Sequence, residues 1–513
     1  MIDKNANPIR VKKVQVKGLF NRFNYIIDVE NEENVSVITA PNGCGKTTIF
    51  QFWEFLLHPK VETLLPIVRV PFASFVCYLS NNKTIEFTKT IVKDDAKTSQ
   101  DRVPLAEQYL WTGFNFVIKH DRAKIEDGDF HRLLSKGNLN KKNRSDENDE
   151  NDIDENYVSS LFADYLDSEP LYRRSQIAAD LYGECKYVCD ALQKSLKDNQ
   201  CHVHVSFISA NRLNPMNQSG SLPLSTLLAL MMGSSIYPSS AFERNKNDVL
   251  SQASKYVADL IKKALDSYNE KLAEAKDELL SQFLREKKED AEAYVRQALD
   301  AYKQRPEVDL ELEKETNQLR IVTKWWNLYQ ERVNAFREIG LIQQPPSDVV
   351  VESAFANRPL FLILYLQAFE KTLDPLEDVY SKLKLFQEII NGRNDVTEKT
   401  LNFRNPTDNE FGIFFVVQTD SNEQTNLDIH RLSSGEKHDL VMFYNLIFKA
   451  TPGGILLVDE PEISWHIDWQ IEYLDHLINI CRKNNLQAIV ATHSPHILHE
   501  RKLAANWEVS HVE

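Results

Sequence analysis

The sequence predicts an α/β fold that is interrupted by a large, mostly helical segment. Both ends of the chain alternate between strand and helix patterns, while long stretches of the middle repeat apolar residues every three or four positions. A glycine-rich turn joins an early strand to a helix. With 513 residues, 42% of them hydrophobic, and only 15 glycines and 19 prolines, the chain has the composition of a folded globular protein.

The first 92 residues have the pattern of an α/β unit with an added antiparallel layer. Three short strands lead into the glycine-rich turn, and the helix that follows is stopped by His58-Pro59. A hairpin with its turn at Asn81-Asn82 comes next. The predicted elements are strands at Val11–Val16, Phe23–Val29 and Val35–Ile38, a helix at Thr47–Leu57 and a hairpin over 72–92.

The middle of the chain is predicted to be helical. Residues 141–156 break all periodicity and are interpreted as a solvated acidic loop, with an interaction tail as the lesser alternative. Apolar spacing then predicts helices over 249–303 and 310–339, with a break at Arg305-Pro306. An all-helical subdomain and a protruding antiparallel arm fit this pattern equally well. A short strand is predicted at 202–208 before this segment, and a further helix at 361–390 after it.

The last quarter of the chain returns to alternating strands and helices. The predicted strands are 411–418, 427–430, 455–458 and 488–491, and the predicted helices are 435–450 and 469–483. The sequence therefore divides into residues 1–215 as the first part of an α/β head, 216–345 as a helical insertion, and 346–513 as the second part of the head.

Charge and hydropathy exclude several classes of protein. The formal net charge is -15, so a broadly basic nucleic-acid-binding surface is excluded, and a contact with nucleic acid would need a local patch. No apolar run approaches the roughly 18 residues that span a bilayer, and the six scattered cysteines suit reduced thiols. We expect a cytoplasmic protein.

Residues Ala40–Thr47 fit the phosphate-binding pattern G-x-x-x-x-G-K-[ST], with alanine in place of the first glycine. The loop lies between a strand and a helix, where backbone N–H groups and the helix dipole favour a phosphate. Lys46 would reach the β- and γ-phosphates, and the Thr47 hydroxyl would bind Mg²⁺. The predicted nucleotide-binding residues here are Asn42, Gly43, Cys44, Gly45, Lys46, Thr47 and Thr48.

Two adjacent acids follow a strongly apolar strand. Ile455–Val458 has the pattern of a buried parallel strand, and Asp459 and Glu460 follow at its carboxyl end, where α/β sheets bind ligands. Asp459 would then hold Mg²⁺, and Glu460 would orient or deprotonate the attacking water. Taken alone, paired acids at a strand end are also common as solvated residues.

The motifs together resemble the ATP-binding cassette (ABC) ATPase superfamily. The ordered set is the loop at 40–47, Leu432–Glu436, Asp459-Glu460 and His493 in Ala491–Ser494. The resemblance implies an ABC-type P-loop ATPase head in which Ser433, Ser434, Gly435 and Glu436 form the signature motif and contact ATP held on a second subunit. It also implies that His493 contacts the γ-phosphate beside Glu460. From local pattern alone, Ser433 and Glu436 are only a capping box at a helix start.

The spacing of the motifs points to one branch of the superfamily. Lys46 and Ser434 are 388 positions apart, which resembles DNA-repair and chromosome-maintenance ATPases with helical insertions. Finer features resemble overcoming-lysogenization-defect (OLD) nucleases: 208–213 (ISANRL), 432–438 (LSSGEKH), 459–466 (DEPEISWH) and 492–495 (THSP). Because only 20 residues follow His493, we expect no Toprim nuclease domain.

The resemblance is nearest to the PtuA family, the stand-alone ATPases of Septu and retron-associated anti-phage systems. It implies ATP and Mg²⁺ as cofactors, a head-to-tail homodimer or higher oligomer, and a separate HNH nuclease, PtuB. In a retron the partners include a reverse transcriptase and its msDNA. We therefore expect an ATPase without nuclease activity of its own, without a membrane partner, and with only indirect DNA contact.

Several alternatives stay open at this point. The ATPase of PARIS-type defence, which has a Toprim partner, fits the motifs too. An ATP-clamped scaffold with little hydrolysis and a DNA-repair ATPase of the recombination-mediator or broken-end type are alternative functions. The glutamine that links Mg²⁺ to the helical lobe in the family is not identified, with Gln100 and Gln108 as candidates. A zinc site is a minor alternative, with Cys185, Cys189, Cys201, His202 and His204 as its candidate ligands.

Overall fold

The computed structural model of the chain contains two compact units. One combines residues 1–246 with 449–513, and the other comprises 247–448. The structure describes residues 8–41, 43–61, 63–64, 67, 70–91, 112–120, 123–130, 186–208, 239–285, 291–305, 317–343, 359–394, 399–405, 410–418, 424–463, 465–499 and 501–512. The predicted domain boundaries after 215 and 345 fall outside these ranges and stay predictions, as does the acidic loop at 141–156.

The first unit is built on two sheets. Its strands are β1 (Val11–Leu19), β2 (Phe23–Asp28), β3 (Val35–Thr39), β4 (Ser74–Leu79), β5 (Lys83–Ile91), β6 (Thr112–His120), β7 (Ala123–Phe130), β8 (Val205–Ile208), β12 (Ile455–Asp459), β13 (Gln487–Thr492) and β14 (Asn506–His511). Its helices are α1 (Lys46–Leu57), α8 (Ile467–Asn484) and α9 (Pro495–Leu498), together with helical residues 186–198.

Four strands form a parallel sheet in the order β3-β13-β12-β8. Every residue of β12 and β13 is buried, which explains their nearly continuous apolar sequences. Helix α8 connects β12 to its neighbour β13 as a crossover. Since all four strands run the same way, their carboxyl ends meet at one edge of the sheet.

The remaining seven strands form an antiparallel sheet in the order β14-β2-β1-β4-β5-β6-β7. It contains the predicted hairpin as β4 and β5. The buried Gln487 side chain ties this sheet to the parallel one, because its Oε1 accepts from Val11 N at 2.8 Å and its Nε2 donates to Val11 O at 2.7 Å. Apolar residues of both sheets and of α1 share one hydrophobic core.

The second unit is mostly helical, with one small sheet. Its helices are α2 (Ser239–Arg285), which begins in the first unit, α3 (Ala291–Lys303), α4 (Gln318–Glu338), α5 (Pro359–Phe369), α6 (Asp374–Asn394) and α7 (Ser434–Tyr444). Strands β9 (Lys399–Arg404), β10 (Phe411–Gln418) and β11 (Gln424–Leu427) form an antiparallel sheet in the order β11-β10-β9. Among the described residues, no helix is both long and apolar enough to cross a membrane.

A buried ion pair joins α6 to α7. Arg393 Nη1 lies 3.1 Å from Asp439 Oδ2, and the two side chains are only 4% and 5% exposed. The Arg393 guanidinium also lies over the Phe443 ring, 4.7 Å from its centroid. Removal of either side chain alone would leave the other as an unpaired buried charge, which is strongly destabilising.

Two predicted elements of the second unit are wrong in detail. The strand predicted at 427–430 ends at Leu427, and Ile429–Arg431 is a 3-10 turn, because Asp428 Oδ1 accepts from His430 N at 2.8 Å. The single helix predicted over 361–390 is divided by a 3-10 turn at Glu370–Leu373. Pro375 follows this turn, and a proline has no N–H to donate to a continuous helix.

Candidate nucleotide-binding site

Three neighbouring strands of the parallel sheet end next to the predicted site residues. The phosphate loop follows β3, Asp459 and Glu460 lie at the end of β12, and His493 follows β13. These strands are adjacent and parallel, so their ends converge. This topology explains why Thr47 and Asp459, 412 positions apart in sequence, are in direct contact.

The loop after β3 has a backbone that only glycine adopts easily. Gly43 and Gly45 have φ angles of 82° and 75°, in the left-handed region. A Cβ at Gly45 would lie 2.9 Å from both Leu19 Cδ2 and Phe20 Cε2, so a larger residue would require these two side chains to move. No side chain caps α1 at Gly45, which leaves the N–H groups of its first turn available for a phosphate. Asn42 lies outside the described residues.

The antiparallel sheet supports this loop from the side. Tyr25, in β2, donates its hydroxyl to Cys44 O at 2.7 Å. The Tyr25 ring packs edge-on against Trp507 of β14, with 5.1 Å between the ring centroids. The loop is thus held by an aromatic pair that joins the first and last parts of the sequence.

Lys46 is buried at the centre of the site, with 5% of its surface exposed. Its Nζ donates to Ala40 O at 2.7 Å and to Pro41 O at 3.2 Å, and lies 2.9 Å from His493 Nε2. Burial lowers the pKa of Lys46, while the carboxylates of Glu460 and Asp459 act in the opposite direction. Among the described residues, no carboxylate lies within ion-pair distance of the Lys46 ammonium group, and the phosphates of a nucleotide would supply that charge.

Thr47 and Asp459 fit a magnesium ion. The Thr47 hydroxyl donates to Asp459 Oδ2 at 2.6 Å, and Asp459 is 2% exposed. Among the described residues, the buried Asp459 Oδ1 has no hydrogen-bond partner. Burial raises the pKa of Asp459, and the Thr47 hydrogen bond opposes that rise. Oxygen ligands of this kind suit Mg²⁺, which would neutralise charge on the transferred phosphate.

Glu460 and His493 form a contacting pair beside Lys46. His493 Nε2 lies 2.7 Å from Glu460 Oε1. Lys46 Nζ also lies 3.2 Å from His493 Nδ1, so the tautomer with a proton on Nε2 can donate to Glu460 and accept from Lys46 at Nδ1. Glu460 has a φ of 46°, an uncommon conformation for a non-glycine residue, and its N–H donates to Ala491 O at 2.8 Å. The strand end is thus turned sharply at the residue that presents the carboxylate.

Glu462 is a residue of this site to which the sequence assigned no role. Its Oε1 accepts from Thr492 Oγ1 at 2.6 Å, from His493 N at 2.9 Å and from Ser494 N at 3.2 Å. One carboxylate oxygen therefore holds the turn that carries His493. The available signal was a third acid just after the Asp459-Glu460 pair, in a loop next to the end of β13.

The predicted signature residues lie in the second unit, at the N-terminus of α7. The predicted capping box is confirmed: Ser433 N donates to Glu436 Oε2 at 2.7 Å, and Glu436 N donates to Ser433 Oγ at 3.3 Å. Ser434 and Gly435 are the first two residues of the helix. Their N–H groups have no intrahelical acceptor, which is the arrangement that favours an anion.

The zinc candidates form a different cluster from the one expected. His202 and His204 lie near His58, which the sequence reasoning missed, with ring centroids 5.1 to 6.4 Å apart. Cys189 and Cys201 are buried, and Cys185 lies outside the described residues, as do Gln100 and Gln108. In the part of the chain that the structure describes, no group of three or more His, Cys, Asp or Glu side chains is arranged to hold a metal ion.

Acid should destabilise the fold through His58. Burial, together with Lys60, His202 and His204, lowers the pKa of His58 to about 4. In the unfolded chain a histidine titrates near about 6.5, so between these values the unfolded state binds more protons and stability falls as the pH falls. We expect His58→Gln to reduce the loss of melting temperature between about pH 7 and pH 4.5 relative to the parent. The exposed His496→Gln serves as the control, and parallel pH profiles for parent and His58→Gln would contradict the prediction.

Comparison with known proteins gives a match to one family model and similarities to a curated protein and to solved structures. A stretch covering 25% of this chain and 27% of the relative is 29% identical to the Retron Ec83 probable ATPase of Escherichia coli, so about a quarter of that protein's length is matched. The Smc head domain with an extended coiled coil bound to the C-terminal domain of ScpA, derived from Pyrococcus furiosus, aligns over 98% of this chain and 96% of that chain, with 11% identity and a TM-score of 0.31. The Smc head domain with a coiled coil and joint from Pyrococcus yayanosii aligns over 98% and 97%, with 13% identity and a TM-score of 0.29.

The family model described as AAA ATPase domain matches residues 10–498. The predicted fold class is confirmed as an α/β ATPase domain, and a large, mostly helical insertion separates the two parts of the first unit in sequence. The chain therefore belongs to the AAA ATPase domain family.

Proposed function

We propose that this chain is an ATP-binding and ATP-hydrolysing subunit that dimerises head to tail on ATP and regulates a nuclease partner in anti-phage defence. The observation that carries the proposal is the convergence of Lys46, Thr47, Asp459, Glu460 and His493 at one edge of the parallel sheet. These side chains provide a phosphate-binding cation, two oxygen ligands for Mg²⁺, a general base and a phosphate-contacting histidine.

The first part of the proposal, ATP hydrolysis, assigns one task to each side chain of the site. Lys46 binds the β- and γ-phosphates, and Thr47 and Asp459 hold Mg²⁺. Glu460 orients the attacking water and takes its proton, and His493 contacts the γ-phosphate. Glu462 fixes the backbone at His493 and so sets the distance between His493 and Glu460.

The second part of the proposal, the dimer, concerns the N-terminus of α7. A helix of 11 residues begins there with a capping box and two N–H groups that lack intrahelical acceptors. In the proposed dimer, Ser434 and Gly435 of one copy contact the γ-phosphate bound by Lys46 of the other. Each site then needs residues from both copies, so ATP binding and dimerisation are coupled.

The third part of the proposal, a nuclease partner, is supported by the retron ATPase relative and by the PtuA-like motifs. A separate HNH subunit of PtuB type would cut nucleic acid, and a reverse transcriptase with its msDNA would be present in a retron. The net charge of -15 also favours a regulatory subunit over one that holds nucleic acid directly.

Ser434→Arg should abolish ATP-dependent dimerisation while the monomer still binds ATP. The larger, charged side chain would block the N-terminus of α7 but lies in the unit that does not contain Lys46. Light scattering measures the dimer and equilibrium dialysis measures ATP binding, with the exposed Thr323→Arg as the control. Mixing Ser434→Arg with Lys46→Ala should restore dimers. One composite site, formed by Lys46 of one copy and Ser434 of the other, is then intact.

An unaffected Ser434→Arg dimer would contradict the proposed composite site.

The partner is tested separately, by co-expression with the neighbouring genes and identification of the proteins that co-elute. Recovery of an HNH nuclease whose DNA cleavage responds to ATP is the expected result. If no nuclease co-elutes, or if ATP does not change the DNA cleavage of the co-eluting nuclease, the regulatory role is ruled out and the ATPase assignment stands.

A further inference from the structure

The N-terminus of α7 carries a carboxylate close to the position proposed for a phosphate. Glu436 is the third residue of the helix, and its Oε2 accepts from Ser433 N at 2.7 Å, which keeps the carboxylate within the first turn. Burial acts to raise the pKa of Glu436, but hydrogen bonds from Lys399 and Ser433 outweigh this and hold the pKa below its usual value. Glu436 is therefore ionised, and an uncompensated charge there would repel the γ-phosphate.

Lys399 lies directly against this carboxylate. Its Nζ is 2.6 Å from Glu436 Oε1, and the two side chains are 22% and 12% exposed. Lys399 is the first residue of β9 and pairs with Val417 of β10. The strand is further fixed to α6, because Leu401 N donates to Asn391 Oδ1 at 2.7 Å. The small sheet and α6 thus fix the backbone of β9, and from there the Lys399 side chain reaches Glu436 on α7.

We propose that Lys399 is a positioning residue that neutralises Glu436, so that the N-terminus of α7 can accept the γ-phosphate of MgATP bound to a second copy of this chain. This inference rests on the head-to-tail dimer of the proposed function. Glu436 completes the capping box, but its charge opposes the phosphate, and Lys399 removes that opposition without occupying the helix N-terminus. The half-buried pair has little net charge, which leaves the N–H groups and the helix dipole to attract the anion.

A suppression experiment separates charge compensation from simple packing. Lys399→Met keeps the aliphatic stem but leaves Glu436 as an unpaired anion, so we expect ATP-dependent dimerisation to weaken about tenfold, with a smaller loss at high salt. Glutamine also forms a capping box, so Glu436→Gln removes the charge and keeps the cap. The double variant Lys399→Met/Glu436→Gln should therefore recover most of the dimerisation that Lys399→Met loses.

A structural role for Lys399 predicts the opposite outcome for the double variant. If Lys399 only fixes β9 against α7, removal of both charges cannot restore the dimer, and a double variant as weak as Lys399→Met would overturn the proposal. Lys382→Met is the matched control, since Lys382 pairs with Asp378 on α6, Nζ to Oδ2 2.7 Å, away from the capping box. Melting temperatures of the monomers show whether each variant folds.

The result also distinguishes failure of this inference from failure of the proposed function. If Ser434→Arg leaves the dimer intact, the composite site itself is wrong. If Ser434→Arg abolishes the dimer while Lys399→Met behaves as the parent, the composite site stands and the role of Lys399 is overturned.

Discussion

Glu460→Gln is expected to abolish ATP turnover while ATP binding is retained and the ATP-bound dimer persists. Glutamine has the shape of glutamate but cannot take a proton from water, and loss of a general base costs roughly 10²- to 10⁴-fold in rate. The substitution leaves Lys46, Thr47 and Asp459 unchanged, so the nucleotide and Mg²⁺ contacts should survive. Steady-state phosphate release measures turnover, and the fraction of dimer after removal of free ATP measures its persistence.

The Glu460→Gln substitution should leave the backbone conformation at this position unchanged. Glutamine and glutamate adopt a φ of 46° at similar cost, so the turn after β12 should keep its geometry. Glu472→Gln, at an exposed position on α8, controls for the loss of one negative charge. Unchanged hydrolysis in Glu460→Gln would remove Glu460 from the role of base.

Lys46→Ala should prevent nucleotide binding. The ammonium group is buried and supplies the charge-assisted contacts to the β- and γ-phosphates, each worth about 1.5–3 kcal/mol. Loss of two such contacts corresponds to a weakening of ATP affinity by about a hundredfold or more. Titration calorimetry with ATP and Mg²⁺ measures the affinity directly.

A second variant separates loss of charge from loss of packing at this position. Lys46→Met keeps most of the side-chain volume and should bind ATP as poorly as Lys46→Ala, with a melting temperature closer to the parent. Lys17→Ala, at an exposed position on β1, is the control. Full ATP affinity in both Lys46 variants would disprove the phosphate-loop assignment.

The parts of the site that the sequence predicted have local signals. The loop at 40–47 has fixed spacing between a strand and a helix, and Asp459-Glu460 follows a run of four apolar residues. Parallel strands place such ends at one edge, so the sequence could predict that these groups share a region. The capping box at Ser433 is also a local pattern, and it is confirmed.

The parts that the sequence did not predict depend on contacts between distant residues. Glu462 has a defined role only because β13 lies beside β12 and brings three donors to its carboxylate. His58 joins His202 and His204 only because β8 packs beside α1, and Lys399 reaches Glu436 across 37 positions of sequence. No periodicity or spacing rule encodes such pairings. The 3-10 turn at Ile429–Arg431 was missed for a smaller reason, since one aspartate redirected the backbone.

The aromatic support of the phosphate loop has a consequence for biosynthesis. Trp507 packs on Tyr25, and Val37 exchanges hydrogen bonds with Leu503 and Ala505, so the end of the sequence contacts strands made first. Val11 and Gln487, which join the two sheets, are 476 positions apart. Such distant pairings form slowly, and none can form before its second partner has left the ribosome. A nascent chain would therefore lack the contacts that support the phosphate loop until the last strand has been made.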